Sequence, residues 1–151
     1  MRRLILGLAV AAVLAGGGAA WWRVYGSDPA RLKRLLRKME RAVEQGTLLR
    51  LEGAIARDYA DDYGLDKSTL LAFVRTYRQQ YESVAIELRE LRLVVEPNAQ
   101  EATAEFMARV AAKMQAAQVE PEVQDLRARL WFRKTNEGWQ MRRAECAELK
   151  G

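Results

Sequence analysis

The apolar residues of this chain change their period near residue 83. Leu32, Leu35, Leu36, Met39 and Val43 recur at three- and four-residue spacings, which places them on one face of a helix. From Val84 onward the apolar residues fall on every second position: Val84, Ile86 and Leu88, then Ala102 to Met114, then Leu126, Ala128, Leu130 and Phe132. That alternation is the signature of half-buried strands. Helices first and strands afterwards exclude the alternating order of a parallel sheet. The helices must instead gather on a strand meander, which is an α+β arrangement. The expectation is three N-terminal helices packed on a curved, mainly antiparallel four-stranded sheet, preceded by a single hydrophobic helix.

Local signals bound the helices. Ser27-Asp28-Pro29 supplies a capping side chain and a first-turn proline, and Gly46 stops the helix that follows. A short helix after Thr47 carries Leu48, Leu51 and Ile55 on one face. Tyr59 to Gly64 breaks it with an acidic, aromatic connection. Asp66 or Ser68 then caps a third helix striped by Leu70, Val74, Tyr77 and Tyr81.

The strands carry equally specific marks. Leu91, Leu93 and Val95 resume the alternation of Val84 to Leu88 one residue out of phase, as a β-bulge would produce. Pro97-Asn98 ends that strand. Residues 101–115 are rich in helix formers, but Phe106 and Ala108 would lie on different helix faces. A strand is expected there, because pairing overrides propensity. Thr135-Asn136-Glu137-Gly138 reads as a tight hairpin connection leading into Trp139 and Met141.

Ahead of all this, Arg2 and Arg3 precede 19 uncharged residues, Leu4 to Trp22. As a helix this run spans about 28 Å, close to a bilayer core. Residues 1–26 are expected to be a signal-anchor or a cleaved signal peptide, and residues 27–151 the folded domain. Trp21, Trp22, Arg23 and Tyr25 are placed for a membrane interface. No cysteine follows the run, so a lipoprotein signature is missing. Arg2 and Arg3 favour an exported domain, periplasmic or extracellular. Arg23, Arg31, Lys33, Arg34, Arg37 and Lys38 compete for the cytoplasmic side, leaving a cytoplasm-facing domain as the alternative.

Charge divides the chain at the same place. Residues 23–50 carry eight basic and three acidic side chains, whereas residues 51–151 carry fifteen and seventeen. The pI of about 9.6 therefore belongs to the first helix and its approach, not to the domain. A nucleic-acid partner is not expected, because that needs a basic domain surface. Attraction of the first helix to anionic headgroups is one reading of its charge; a solvated helix face is the other. The chain has no histidine and one cysteine. This excludes a His-based triad, a His-containing zinc site and an intrachain disulfide. No cofactor and no metal are expected. Cys146 reads as a small residue on a terminal strand.

The helix–short helix–acidic loop–helix opening, the Asp62-Tyr63-Gly64-Leu65-Asp66 break and the closing Phe132-Arg133-Lys134-Thr135-Asn136-Glu137-Gly138-Trp139-Gln140-Met141 hairpin resemble the nuclear transport factor 2-like superfamily. That is the cone fold shared with ketosteroid isomerase and polyketide cyclases. The resemblance covers roughly residues 28–146. It implies a cavity between helices and sheet, for which Tyr59, Asp62, Tyr63, Tyr81 and Arg143 are candidate lining residues. Arg143 shares strand parity with Trp139 and Met141, which would let it point inward and suit an anionic ligand; a strand-end position facing solvent is the favoured reading. The exposed sheet face is a common dimer surface in that superfamily, which makes Arg127, Arg129, Trp131 and Arg133 interface candidates. They alternate with the core-facing residues, and Trp131 either anchors a partner or lies stacked under arginine stems.

Fold alone does not decide activity. The expected function is a membrane-tethered, non-catalytic domain binding a partner protein, a second copy or a small apolar ligand. The alternative is a small-molecule isomerase, dehydratase or cyclase using a carboxylate and a tyrosine in the cavity. No catalytic residue can be assigned from the sequence.

Overall fold

The computed structural model describes residues 27–115 and 120–149. Three helices, α1 (Asp28–Gln45), α2 (Leu48–Glu52) and α3 (Lys67–Gln80), precede four strands, β1 (Tyr81–Val95), β2 (Glu101–Met114), β3 (Glu122–Thr135) and β4 (Gly138–Glu148). The strands pair in sequence order, every neighbour antiparallel. The apolar run Leu4 to Trp22, and with it Trp21, Trp22, Arg23 and Tyr25, lies outside the described residues. Among the described residues no helix is long and apolar enough to cross a membrane.

The helix ends follow their local chemistry. The Ser27 side chain accepts from the amide of Ala30, and Gly46 closes α1 in the left-handed conformation, φ 73°. Asp66, not Ser68, caps α3: its carboxylate takes the Thr69 amide while the Thr69 hydroxyl takes the Asp66 amide. Ile55 departs from the expected helix face. Gly53 ends α2 two residues earlier, and Ile55 instead pairs with Met141 of β4 in a short parallel bridge.

The phase slip in β1 is a bulge. Arg89 pairs with Met107 but Arg92 pairs with Glu105, so Glu90 and Leu91 oppose one residue of β2. Glu90 takes φ 56° to accommodate this, the left-handed region that non-glycine residues seldom occupy. The helix-rich composition of 101–114 gives way to a strand, as its alternation demands: Ala102, Ala104, Phe106, Ala108, Val110 and Ala112 are all buried. The small side chains of the four alanines among them let the helices lie close on the sheet.

The core sits between α1–α3 and one face of the sheet. Leu32, Leu36 and Met39 of α1, Leu51, Ile55, Tyr59 and Leu70 meet Phe106, Leu126, Leu130, Phe132 and Met141. Each fully buried side chain of this size contributes roughly 1.5–3 kcal/mol relative to exposure. Both sheet edges are covered in part. Residues 54–60 hydrogen-bond to β4 at Met141 and Arg142. On β1 the Glu44 carboxylate accepts from the Ile86 amide at 3.0 Å. Unpaired edge groups invite strand addition from other chains, and here two segments remove part of that exposure.

Candidate functional site

The acidic loop between α2 and α3 is organised by one carboxylate. Asp61 Oδ1 accepts from the amides of Tyr63 (2.9 Å) and Leu65 (3.0 Å), and its Oδ2 accepts from the Tyr59 hydroxyl at 2.8 Å. Tyr59 is buried, and burial first, then the neighbouring carboxylate, pushes its phenol far above the ordinary range. Such a phenol stays protonated and anchors the loop. Tyr63 reaches across to the edge of β4. Its hydroxyl donates to the Cys146 carbonyl at 2.7 Å and accepts from the Cys146 amide at 3.3 Å.

Arg143 does not point into the core. Trp131 pairs with Arg143 but Phe132 pairs with Met141, so Arg142 is an extra residue in β4. This second bulge reverses the parity: Trp139 and Met141 are buried before it, Ala144 and Cys146 after it. Arg143 therefore lies on the outer face. There it stacks 4.7 Å from the centre of the Trp131 ring and pairs with Asp62 and Glu145, each at 2.6 Å. Tyr59, Asp62, Tyr63 and Arg143 thus gather at the β4 edge, held by structural contacts. Tyr81 is not with them. It pairs with Met114, eight residues along β2 from Phe106, the residue aligned through Ala128 with Cys146. That is about 26 Å along the sheet. The Tyr81 ring packs 4.6 Å from that of Tyr77.

The outer face holds a lattice of paired charges around one tryptophan. Arg129 pairs with Glu105, Arg133 with Asp58, Arg109 with Asp125 at 2.8 Å and Arg142 with Glu101 at 3.5 Å. Trp131 lies between Arg143 and Arg129, the latter 5.8 Å from its ring centre. Such exposed pairs add little stability, but they leave the face pre-ordered and nearly neutral. Arg127 stands apart: its register neighbours are Met107 and Ala147, and among the described residues it has no ion-pair partner. Asp62, Tyr63, Glu90, Arg92, Met107, Arg127 and Glu145 line an open trough of about 700 Å³ on this side.

Sequence reasoning missed the polar group inside. Gln124 shares parity with Leu126, Ala128 and Leu130 and is 7% exposed. It faces the core in one row with Val110 of β2 and Ile86 of β1. Neither its amide nitrogen nor its oxygen has a hydrogen-bond partner, and neither does the buried Tyr77 hydroxyl. Burial raises the Tyr77 phenol, and Tyr81 and Glu122 raise it further. The available signal was a glutamine at a core-facing strand position. Among the described residues Gln124 is the one polar side chain in the buried set. Also among them, no three His, Cys, Asp or Glu side chains are placed to hold a metal ion.

No family model matches the sequence, and no curated protein matches it. Solved structures do resemble the fold. A proposed dehydratase of the nuclear transport factor 2-like family from Streptomyces avermitilis superposes with a TM-score of 0.70 at 12% identity, over 82% of this chain and 98% of that one. A nuclear transport factor 2-like protein with a cystatin-like fold from Novosphingobium aromaticivorans gives 0.65 at 21% identity, over 82% and 83%. Bd1075 of Bdellovibrio bacteriovorus gives 0.68 at 12% identity over 80% of this chain, which spans only 40% of that longer protein. At these identities the likeness speaks for architecture and not for activity: the described residues adopt the nuclear transport factor 2-like, cystatin-like α+β fold.

Proposed function

We propose that this chain is a membrane-tethered, non-catalytic binding domain whose partner is a protein, a second copy included, engaged by the outer face of the sheet around Trp131. One observation carries the reading. Between helices and sheet, where the fold's enzymes would hold a substrate, Leu32, Leu36, Met39, Leu51, Phe132 and Met141 are all fully buried in one apolar cluster, and no carboxylate is buried among the described residues. Carboxylate-and-tyrosine chemistry needs an acid or base beside the reacting atom. Asp61, Asp62 and Asp66 are instead held by the loop amides, Arg143 and Thr69. With no acid or base inside that cluster, this reading assigns recognition to the surface. There Trp131 lies stacked with the guanidinium groups of Arg129 and Arg143, and Trp and Arg are residue types enriched among interface hot spots. The tether rests on Leu4 to Trp22.

The test is sedimentation of the detergent-solubilised chain and of Trp131→Glu. The wild type should self-associate and the variant should sediment as a monomer, with unchanged circular dichroism. Identical distributions would remove the second-copy form of this reading.

A second reading, an isomerase, dehydratase or cyclase, is favoured by the unpartnered Tyr77 hydroxyl and Gln124 amide, with the Glu122 carboxylate near enough to Tyr77 to raise its phenol. It requires a small molecule in the interior. Native mass spectrometry should then find a bound compound that Gln124→Met releases.

A further inference from the structure

The two sides of α1 are chemically opposite. Leu32, Leu36, Met39, Ala42 and Val43 are buried against the sheet. Arg31, Lys33, Arg34, Lys38 and Arg41 are exposed and Arg37 is half-buried. With about 100° of turn per residue, these six basic residues occupy an arc of roughly 160°, and the buried residues fill the opposite side. The helix's carboxylates do not cancel the arc. Asp28 is bonded by Lys134 at 3.0 Å and by the Trp139 indole at 3.1 Å, on the core side. Glu44 falls within the arc, but its side chain turns to the Ile86 amide. Glu40 lies at the border of the arc, and it and Arg34 each have a contact of their own. Five of the six cations remain without counting Arg34.

A helix needs no such concentration of like charge, because like charges three and four residues apart destabilise it. The rest of the domain does not share it, since residues 51–151 carry fifteen basic and seventeen acidic side chains. Position supplies the second argument. Only residues 23–27 separate the end of the uncharged run at Trp22 from the first residue of α1. Five residues reach at most about 18 Å. If Leu4 to Trp22 is embedded, the N-terminus of α1 stays within that distance of the headgroups. A helix of 18 residues, about 27 Å long, can then lie along the surface with its whole basic arc facing it.

We infer that α1 is a membrane-surface element: its basic face seats the domain flat on a bilayer rich in anionic lipid and orients the outer face of the sheet away from it. The inference rests on the tether proposed above for Leu4 to Trp22, and the experiment separates the two. The full chain is mixed with vesicles of phosphatidylcholine, or of phosphatidylcholine with one-third phosphatidylglycerol, and floated. Lysine acylation by a membrane-impermeant reagent is then followed residue by residue. Flotation with both compositions supports the tether. On the anionic vesicles Lys33 and Lys38 should then acylate several-fold more slowly than on neutral ones. Lys113, on the outer face of the sheet, should not change. High salt should abolish the slowing. The triple variant Lys33→Glu, Arg37→Glu, Arg41→Glu should still float, with Lys38 equally reactive on both surfaces.

Equal rates for Lys33 and Lys38 on the two compositions overturn the inference and leave the tether standing. Slowing on both surfaces alike, growing with protein concentration, assigns the face to a second copy and also overturns it. Flotation with anionic vesicles alone overturns the tether and keeps the inference. Flotation with neither overturns both.

Discussion

Replacing Gln124 with methionine should stabilise the protein. Gln124 is 7% exposed, and its amide oxygen and nitrogen both lack partners. A buried polar group left unsatisfied costs about 1–3 kcal/mol in lost hydration. Methionine has a similar length, no terminal fork and a flexible thioether, so it can adapt to nearly the same space beside Val110 without forcing a rotamer. Allowing for imperfect packing, the net gain is about 1–2 kcal/mol. For a domain of this size that corresponds to a rise of roughly 4–8 °C in melting temperature. Thermal unfolding followed by circular dichroism, with urea midpoints as a second measure, reads the change. A fall of the midpoint by an equivalent amount would refute the reasoning. It would mean that the amide is satisfied in solution by water or a bound molecule, the result the second functional reading requires. Tyr77→Phe gives an independent check, since it removes the other unpartnered interior group and should move stability the same way.

Two further outcomes follow from the titrating groups. Burial pushes the Cys146 thiol up to about 12, so a disulfide-exchange reagent at mildly alkaline pH should label it only as fast as the protein opens, and at once in denaturant; rapid labelling of the folded chain would show that β4 is not closed there. The Lys134 ammonium, then the Trp139 indole, hold the Asp28 carboxyl below its ordinary 3.8. A depressed carboxyl contributes stability that is complete above its ordinary pKa and is lost as pH falls through its folded value. Asp28→Asn should therefore flatten the acid limb of a stability–pH curve without altering its neutral plateau by more than the lost ion pair; parallel curves for the two proteins would exclude this role for Asp28.

These tests bear on different parts of a binding domain. Trp131→Glu probes the outer face, Gln124→Met the interior and lysine acylation the helix that follows the apolar run. The outer face and the interior lie on opposite sides of the same strands, so a substitution on one is separated from the other by a full layer of backbone. Effects on self-association and on stability should accordingly be close to independent, because the sites share no side-chain partner.

Most of the architecture was legible in the order of residues because it depends on near neighbours. Ser27, Gly46 and Asp66 act on helix ends within four residues of themselves. The β1 bulge shows as a one-residue phase slip within a single strand, and the 101–114 strand as alternation strong enough to override helix-favouring composition. What escaped was whatever depends on the partner strand or on the packed interior. Arg143 carries the parity of Trp139, but an extra residue opposite the Trp131–Phe132 step sends it outward, and within β4 the slip shows only as the short change of phase from Trp139 and Met141 to Ala144 and Cys146. Tyr59, Asp62 and Tyr63 were recognised as a group, yet their partners, Asp61, Arg143 and the backbone of Cys146, emerge only when the loop folds onto the β4 edge. Whether the cone is open or filled is a matter of how side-chain volumes from three helices and four strands add up. The sequence alone determined the elements, their order and the segregation of charge onto α1, since these follow from periodicity and composition. Only the tertiary structure decided which face each strand residue presents, which side chains gather in the buried apolar cluster, and that Gln124 and Tyr77 are buried without partners, because those depend on pairings between residues far apart in the chain.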